Sequence, residues 1–239
     1  MTAPSQELIR DFAPSGVLRA AINIGNIVLA QGTADSPRGV TVDLARELAR
    51  RLGLDLEFVA FGAAGKVVDA LKEDRWDIAF LAIEPVRAAE IAFTAPYVII
   101  EGVYVVPAGS PMKTIDDVDR EGVRIAVNKG AAYDLFLTRT LERAELIRSP
   151  DSFVAFVDQG LEALAGVKQP LAGFVKAHPG TRMLDGRFQE IRQAMGMPHG
   201  RGQAADYLRR FVEEMKASGV VADALKRSNQ PDATVAPPS

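Results

Sequence analysis

Two segments of this chain carry the same punctuation in the same order, and that repetition limits the folds open to it. "RAAINIG" (residues 19–25) is echoed by "RIAVNKG" (124–130), with Arg and Gly six apart in both. "GVTVDL" (39–44) is echoed by "GAAYDL" (130–135), with Gly and Asp four apart. Asp77 precedes Pro85 by eight positions, and Glu162 precedes Pro170 by eight. Ordered matches of this kind point to two similar α/β lobes.

The hydrophobic periodicity fills in the elements. "VLRAAINI" reads as a strand, followed by a Gly/Ser/Pro-rich loop from Gly25 to Gly39. Val42, Ala45, Leu48, Ala49 and Leu52 then recur at helical spacing, with Gly53 as the stop. Strand "LDLEFVAF", helix "GKVVDALKE", strand "WDIAFLAI" and a long β-rich run "YVIIEGVYVVP" follow. The second set is strand "VRIAV", a helix from Ala131, strand "AELIRS", a helix from Ser152, strand "EALAGV" and a helix from Pro170. Residues 188–197 read as extended, "QAADYLRRFVEEMKASG" as an amphipathic helix, and "NQPDATVAPPS" as a disordered tail. Alternation of this sort implies mostly parallel sheets, which bind ligands beyond the carboxyl ends of their strands.

Composition removes several function classes. With 239 residues and a net charge of −3, the chain is large enough for two lobes and carries no basic excess for nucleic acid or an anionic membrane. There is no cysteine, which excludes disulfides and thiolate chemistry. His178 and His199 are the only histidines and are isolated, so neither a metal centre nor a Ser-His-Asp arrangement is supported. "GMPHGRG" matches neither a P-loop nor a dinucleotide fingerprint, and no cofactor is expected. No apolar run approaches the length of a membrane span, and "MTAPSQELIRDFAPSG" reads as a polar arm rather than a signal peptide.

One charge stands out. In "FLAIEPVRAAE", Pro85 suits a first helical position, which places Arg87 inside the first turn, where the helix dipole disfavours a cation. A negative partner is expected: a ligand anion, or Glu84 or Glu90. Lys129 and Lys168 also follow strands at predicted helix starts, where backbone N–H groups favour an anion. Phe61 reads as an apolar wall or as core, and Asn26 as a donor or a turn residue. Glu84 could receive an ammonium or close on Arg87; Asp77 and Glu162 read as organisers of the turns before their strands, and Trp76 as packing.

"GVTVDLARELARRLGLDLEFV", "DALKEDRWDIAFLAIEPVRAAEIAFTAPYV" and "VRIAVNKGAAYDLFL" together resemble the solute-binding proteins of polar-amino-acid ABC transporters, extracellular solute-binding protein family 3, over residues 17–225. The resemblance implies the type II periplasmic-binding-protein fold: two similar lobes, each a mostly parallel sheet flanked by helices, joined by a two-stranded hinge. It divides the chain into an arm (1–16), lobe 1 (17–105 plus 191–228), lobe 2 (106–190) and a tail (229–239), with crossings near Val103–Pro107 and Phe188–Gly196. It makes Arg87, ahead of "FTAPY", a clamp for a ligand carboxylate between the lobes. Ala82, Gly130 and Ala131 occupy positions where that family has ligand contacts, often hydroxyl-bearing. The family's ammonium-accepting Asp has no counterpart, since Gly166-Val167-Lys168-Gln169 stands there.

The expected function is therefore non-covalent capture of a small carboxylate, either an amino acid or a dicarboxylate bridging Arg87 to Lys129 or Lys168, by a monomer serving an ABC permease. Two alternatives remain open. One is an enzyme like the family's cyclohexadienyl dehydratases, with Glu84 or Glu162 as general acid. The other is a cytoplasmic ligand sensor. The resemblance implies a periplasmic location, whereas the N-terminus as written implies the cytoplasm.

Overall fold

The computed structural model describes residues 4–239. In chain order the elements are α1 (Gln6–Phe12), β1 (Val17–Asn23), β2 (Gln31–Gly32), β3 (Pro37–Arg38), α2 (Val40–Leu52), β4 (Asp55–Phe61), α3 (Ala64–Asp69), β5 (Ile78–Ala82) and α4 (Pro85–Ala88). Then come β6 (Ile91–Pro107), β7 (Arg124–Asn128), α5 (Ala132–Thr140), β8 (Glu145–Ser149), α6 (Ser152–Asp158), β9 (Ala163–Val167) and α7 (Lys168–Ala177). The chain ends with β10 (Thr181–Met183), β11 (Gln189–Pro198), α8 (Gly202–Ala217), α9 (Val220–Arg227) and β12 (Thr234–Val235).

The chain forms two compact units, one running to Ile99 and resuming at Arg192, the other covering Ile100–Ile191. The first boundary thus falls a few residues ahead of the expected crossing, inside β6, and the second falls inside β11.

In the first unit β1 pairs in parallel with β4 (Val17↔Asp55) and with β5 (Ala20↔Ile78), and β11 pairs antiparallel with β5 (Gln193↔Ala82). In the second unit β7 pairs in parallel with β8 (Arg124↔Glu145) and with β9 (Ile125↔Ala163), and β6 pairs antiparallel with β9 (Gly102↔Val167). Each unit therefore has its first strand in the middle, two parallel neighbours, and one antiparallel strand beside the last. This is the duplication the sequence echoes announced.

The units have separate cores. Trp76 is fully buried in the first with Phe61, Val67, Leu81 and Ile91, and its indole N–H donates to the Val67 carbonyl at 2.8 Å. The second core gathers Val103, Phe156, Leu164, Leu171 and Phe174. On α2 the expected apolar stripe is buried, and Gly53 ends the helix at φ 66, a left-handed conformation that glycine adopts without a Cβ clash.

Several expectations are corrected. The N-terminal arm contains α1, which docks on α8: Phe12 meets Tyr207 edge-on, and the Asp11 carboxylate accepts from the Gln203 N–H at the start of α8. α7 begins at Lys168 rather than Pro170; a proline at the third helical position removes an N–H that would have lacked an intrahelical partner anyway. Gly219, read as the end of the last helix, is also the cap of α9. The tail is not disordered: β12 adds to the edge of β6 (Thr234↔Ile99), Ala236 donates to the Tyr97 carbonyl, and Ala233 and Ala236 are buried.

Candidate functional site

The arrangement around Arg87 follows from the end of β5. Ile78–Ala82 is buried along its whole length. Glu84 stays extended (φ −136, ψ 140), and Pro85 fixes the first position of a helix only one turn long. A single turn carries little macrodipole, so the dipole is not what makes Arg87 unusual. Burial is. Arg87 is only 2% exposed, Glu84 only 1%, and Arg87 Nη1 donates to the Ala82 carbonyl at 3.1 Å. Burial lowers the guanidinium pKa to about 10, an effect that the Glu84 charge opposes. Arg87 remains charged at neutral pH, and its burial rules out the solvated surface setting considered for it.

The rest of the "FTAPY" tract is scaffold. Thr94 Oγ1 donates to the Ala95 carbonyl and accepts from the Met195 N–H, tying β6 to β11 within this unit. Tyr97 is fully buried with its ring edge-on to Phe80. Phe61, 7% exposed, belongs to the core, with the Arg75 guanidinium 5.5 Å from its ring centre. Asn26 sits in the turn after β1. Its N–H donates to the Asn23 carbonyl, and its own carbonyl accepts from Leu29 and Ala30. Asn23 performs the side-chain role there, its Oδ1 accepting from the Gly25 N–H.

In the second unit the turn after β7 holds Lys129, Gly130 and Ala131. Lys129 is exposed, its backbone donating to the Ser149 carbonyl. Gly130, at φ 75, donates its N–H to Asp134 Oδ2 at 2.8 Å, and Arg148 Nε pairs with Asp134 Oδ1 at 2.9 Å. The Gly-to-Asp spacing thus marks a turn closed by the buried Asp134. Its counterpart Asp43 pairs instead with Arg227.

Lys168 is engaged inside its own unit. Its Nζ lies 2.6 Å from Glu101 Oε2, while Arg187 takes Glu101 Oε1 at 2.9 Å. Hydrogen bonds from Lys168 and then Arg187 hold the Glu101 carboxyl below its usual range. Glu101 and Arg187, which the sequence reading passed over, lie far from Lys168 in sequence and only strand pairing brings them together. Beside Lys168, Gln169 Oε1 is buried with no hydrogen-bond partner among the described residues.

Asp77 and Glu162, expected to organise the turns before their strands, instead hold an arginine of the adjacent strand, β1 or β7. Arg19 N and Nε donate to Asp77 Oδ2 at 3.0 Å, and Arg124 N and Nε donate to Glu162 Oε2 at 2.9 Å. Among the described residues there is no group of metal-ligating side chains, and no helix is long and apolar enough to cross a membrane.

Known proteins resemble this chain over most of its length. Residues 28–229 match the family described as bacterial extracellular solute-binding proteins, family 3. The cyclohexadienyl dehydratase of Pseudomonas aeruginosa is 28% identical over 148 residues, 59% of this chain and 54% of that protein, so the chain spans about half the length of this curated relative. The solute receptor for L-cysteine of Neisseria gonorrhoeae superposes with a TM-score of 0.78 at 23% identity, over 93% of this chain and 94% of that one. A binding component of an ABC transporter from Wolinella succinogenes, complexed with lysine, gives 0.74 at 20% identity, over 89% and 95%. Both structures share the fold.

Proposed function

The chain belongs to the bacterial extracellular solute-binding proteins of family 3, and from that premise we propose that its solute is an amino acid whose carboxylate is held by Arg87. The observation that carries the reading is the burial of Arg87 beside the equally buried Glu84. A guanidinium can grip a carboxylate through two parallel N–H donors, and charge-assisted bonds contribute roughly 1.5–3 kcal/mol each. Micromolar capture needs about −8 kcal/mol, so other contacts must supply the larger part. Glu84 offers the acceptor for an ammonium that the Lys168 region lacks. The engagement of Lys168 by Glu101 argues against a dicarboxylate that would need Lys168 as its second anchor.

Structures of the same fold whose subjects bind L-cysteine or lysine support the amino-acid class. Delivery to an ABC permease, outside the cytoplasm, completes the proposal. Isothermal titration with amino acids and with dicarboxylates of matched length tests it. Zwitterions should bind, and a preference for dicarboxylates would overturn the assignment.

The partial likeness to cyclohexadienyl dehydratase supports a second reading, elimination on the same scaffold. Glu162 is a poor general acid for it: it precedes β9, and the Arg124 hydrogen bond holds its carboxyl below the usual range, hence ionised at neutral pH. Glu84 is the remaining candidate. Incubation with prephenate or arogenate, with aromatic product followed by absorbance, separates the two readings.

A further inference from the structure

The second unit contains a cavity of about 340 Å³ that takes no part in the reading above. Its volume lies in the range of small-molecule sites, roughly 300–1,000 Å³. Phe188 lies between two other rings that line the cavity, 4.5 Å from Tyr104 and 6.1 Å from Phe136 between ring centres, the second pair stacked. Asp116, Asp119 and Glu142 add three carboxylates to the lining, against the single guanidinium of Arg143. Arg139 stands 5.9 Å from the Phe136 ring centre, so one cation already exploits this aromatic surface; counting it, the balance is still negative.

Asp119 is fixed by its surroundings. Oδ1 accepts from the Arg143 and Ala144 N–H groups at 2.8 and 2.9 Å, and Oδ2 accepts from the Glu142 N–H at 2.9 Å. A carboxylate has about four acceptor positions, so one remains, on Oδ2. Burial alone would raise the Asp119 pKa, but these three donors outweigh it and hold it below the usual range. The Asp119 charge in turn adds to burial in pushing the Tyr104 hydroxyl up.

We propose that this cavity binds a small organic ammonium with an aromatic or alkyl body. The rings take the apolar part and the face of the cation, and Asp119, Asp116 and Glu142 take its charge. An organic anion would meet excess negative charge, and a neutral molecule would gain nothing from it. This site shares no residue with the Arg87 assignment.

The test is NMR and calorimetric titration of the full chain with phenethylamine, against 2-phenylethanol as the neutral isostere and phenylacetate as the anion. Phenethylamine should shift the Tyr104, Phe136 and Phe188 resonances and bind at least about tenfold more tightly than the alcohol. Phenylacetate should leave those resonances unmoved. The double variant Asp116→Asn/Glu142→Gln changes only exposed side chains; it should fold normally and weaken the amine by about tenfold or more. Arg87→Ala should leave amine binding unchanged, which keeps this result separate from the fate of the amino-acid reading. Equal affinity for amine and alcohol, shifts confined to other residues, or an unaffected double variant would overturn the proposal.

Discussion

Arg19 holds Asp77 with three of its nitrogens: the backbone N and Nε each donate to Oδ2 at 3.0 Å, and Nη2 donates to Oδ1 at 2.9 Å. In the other unit Arg124 repeats the same pattern on Glu162. The pattern is duplicated but its burial is not. The Asp77 side chain is fully buried, whereas Glu162 is 35% and Arg124 39% exposed. Removing the charge from Asp77 leaves a mostly buried Arg19 with only the exposed Asp74 as counter-charge, so Asp77→Asn should cost about 3 kcal/mol. Glu162→Gln should cost no more than about 1 kcal/mol, because solvent screens the exposed pair. Urea unfolding of the two variants checks this, with near-equal losses as the contrary result.

Acid should weaken the fold within a defined window. The Arg50 hydrogen bond, opposed by burial and supported by Arg51, holds the Glu47 carboxyl down at about 2 against an ordinary 4.5. Glu101 and Glu162 are also held low. A carboxylate with a depressed folded pKa stabilises the fold above its unfolded pKa, and that contribution is lost as the pH falls through the folded value. Stability should therefore be level from neutrality to about pH 4.5 and decline toward about pH 2. Glu47→Gln should make the decline shallower, as read from urea midpoints along a pH series.

The C-terminal residues should be a stabilising edge. Lys216, its side chain 4% exposed, donates to the carbonyls of Pro96 and Pro237 and pairs with Glu213 at 2.7 Å, fastening the chain beyond β12. Deleting residues 231–239 uncovers the β6 edge at Val98 and Ile99. The expected outcome is a Tm lower by roughly 2–8 °C, with concentration-dependent association through the bared strand. An unchanged Tm with a monomeric species would contradict it.

What the sequence made legible was what repeats or alternates. The arginine–carboxylate contacts join residues 58 and 38 apart and are set by strand pairing, but the echo from Arg19 to Arg124 and from Asp77 to Glu162 still marked equivalent strands, because local spacing repeats. The stripe on α2 and its stop at Gly53 were readable for the same reason. α1, α9 and β12 were missed: each is short, and each owes its order to packing on residues distant in sequence, as Phe12 does on Tyr207. At the site, Arg87 was found through a dipole argument that the single-turn α4 does not support; its significance lies in burial, which spacing does not show. Phe61 went to the core and Lys168 to Glu101, outcomes that depend on strand neighbours.

The guanidinium of Arg87 gives binding a pH limit. Its pKa is lowered to about 10 by burial, with Glu84 opposing. Carboxylate affinity should hold from neutral pH and fall as the pH rises through about 10, where the cation is lost. The Lys variant at 87 would keep a charge but not the planar fork, and should bind more weakly than the wild type.

Calorimetric titration of wild type and Arg87→Ala with the best-bound amino acid tests the central claim most directly. The wild type should bind, and the variant, verified as folded by its Trp76 fluorescence, should lose at least about a hundredfold in affinity, since two charge-assisted bonds disappear together. A folded Arg87→Ala protein that binds the same amino acid as tightly as the wild type would contradict the account.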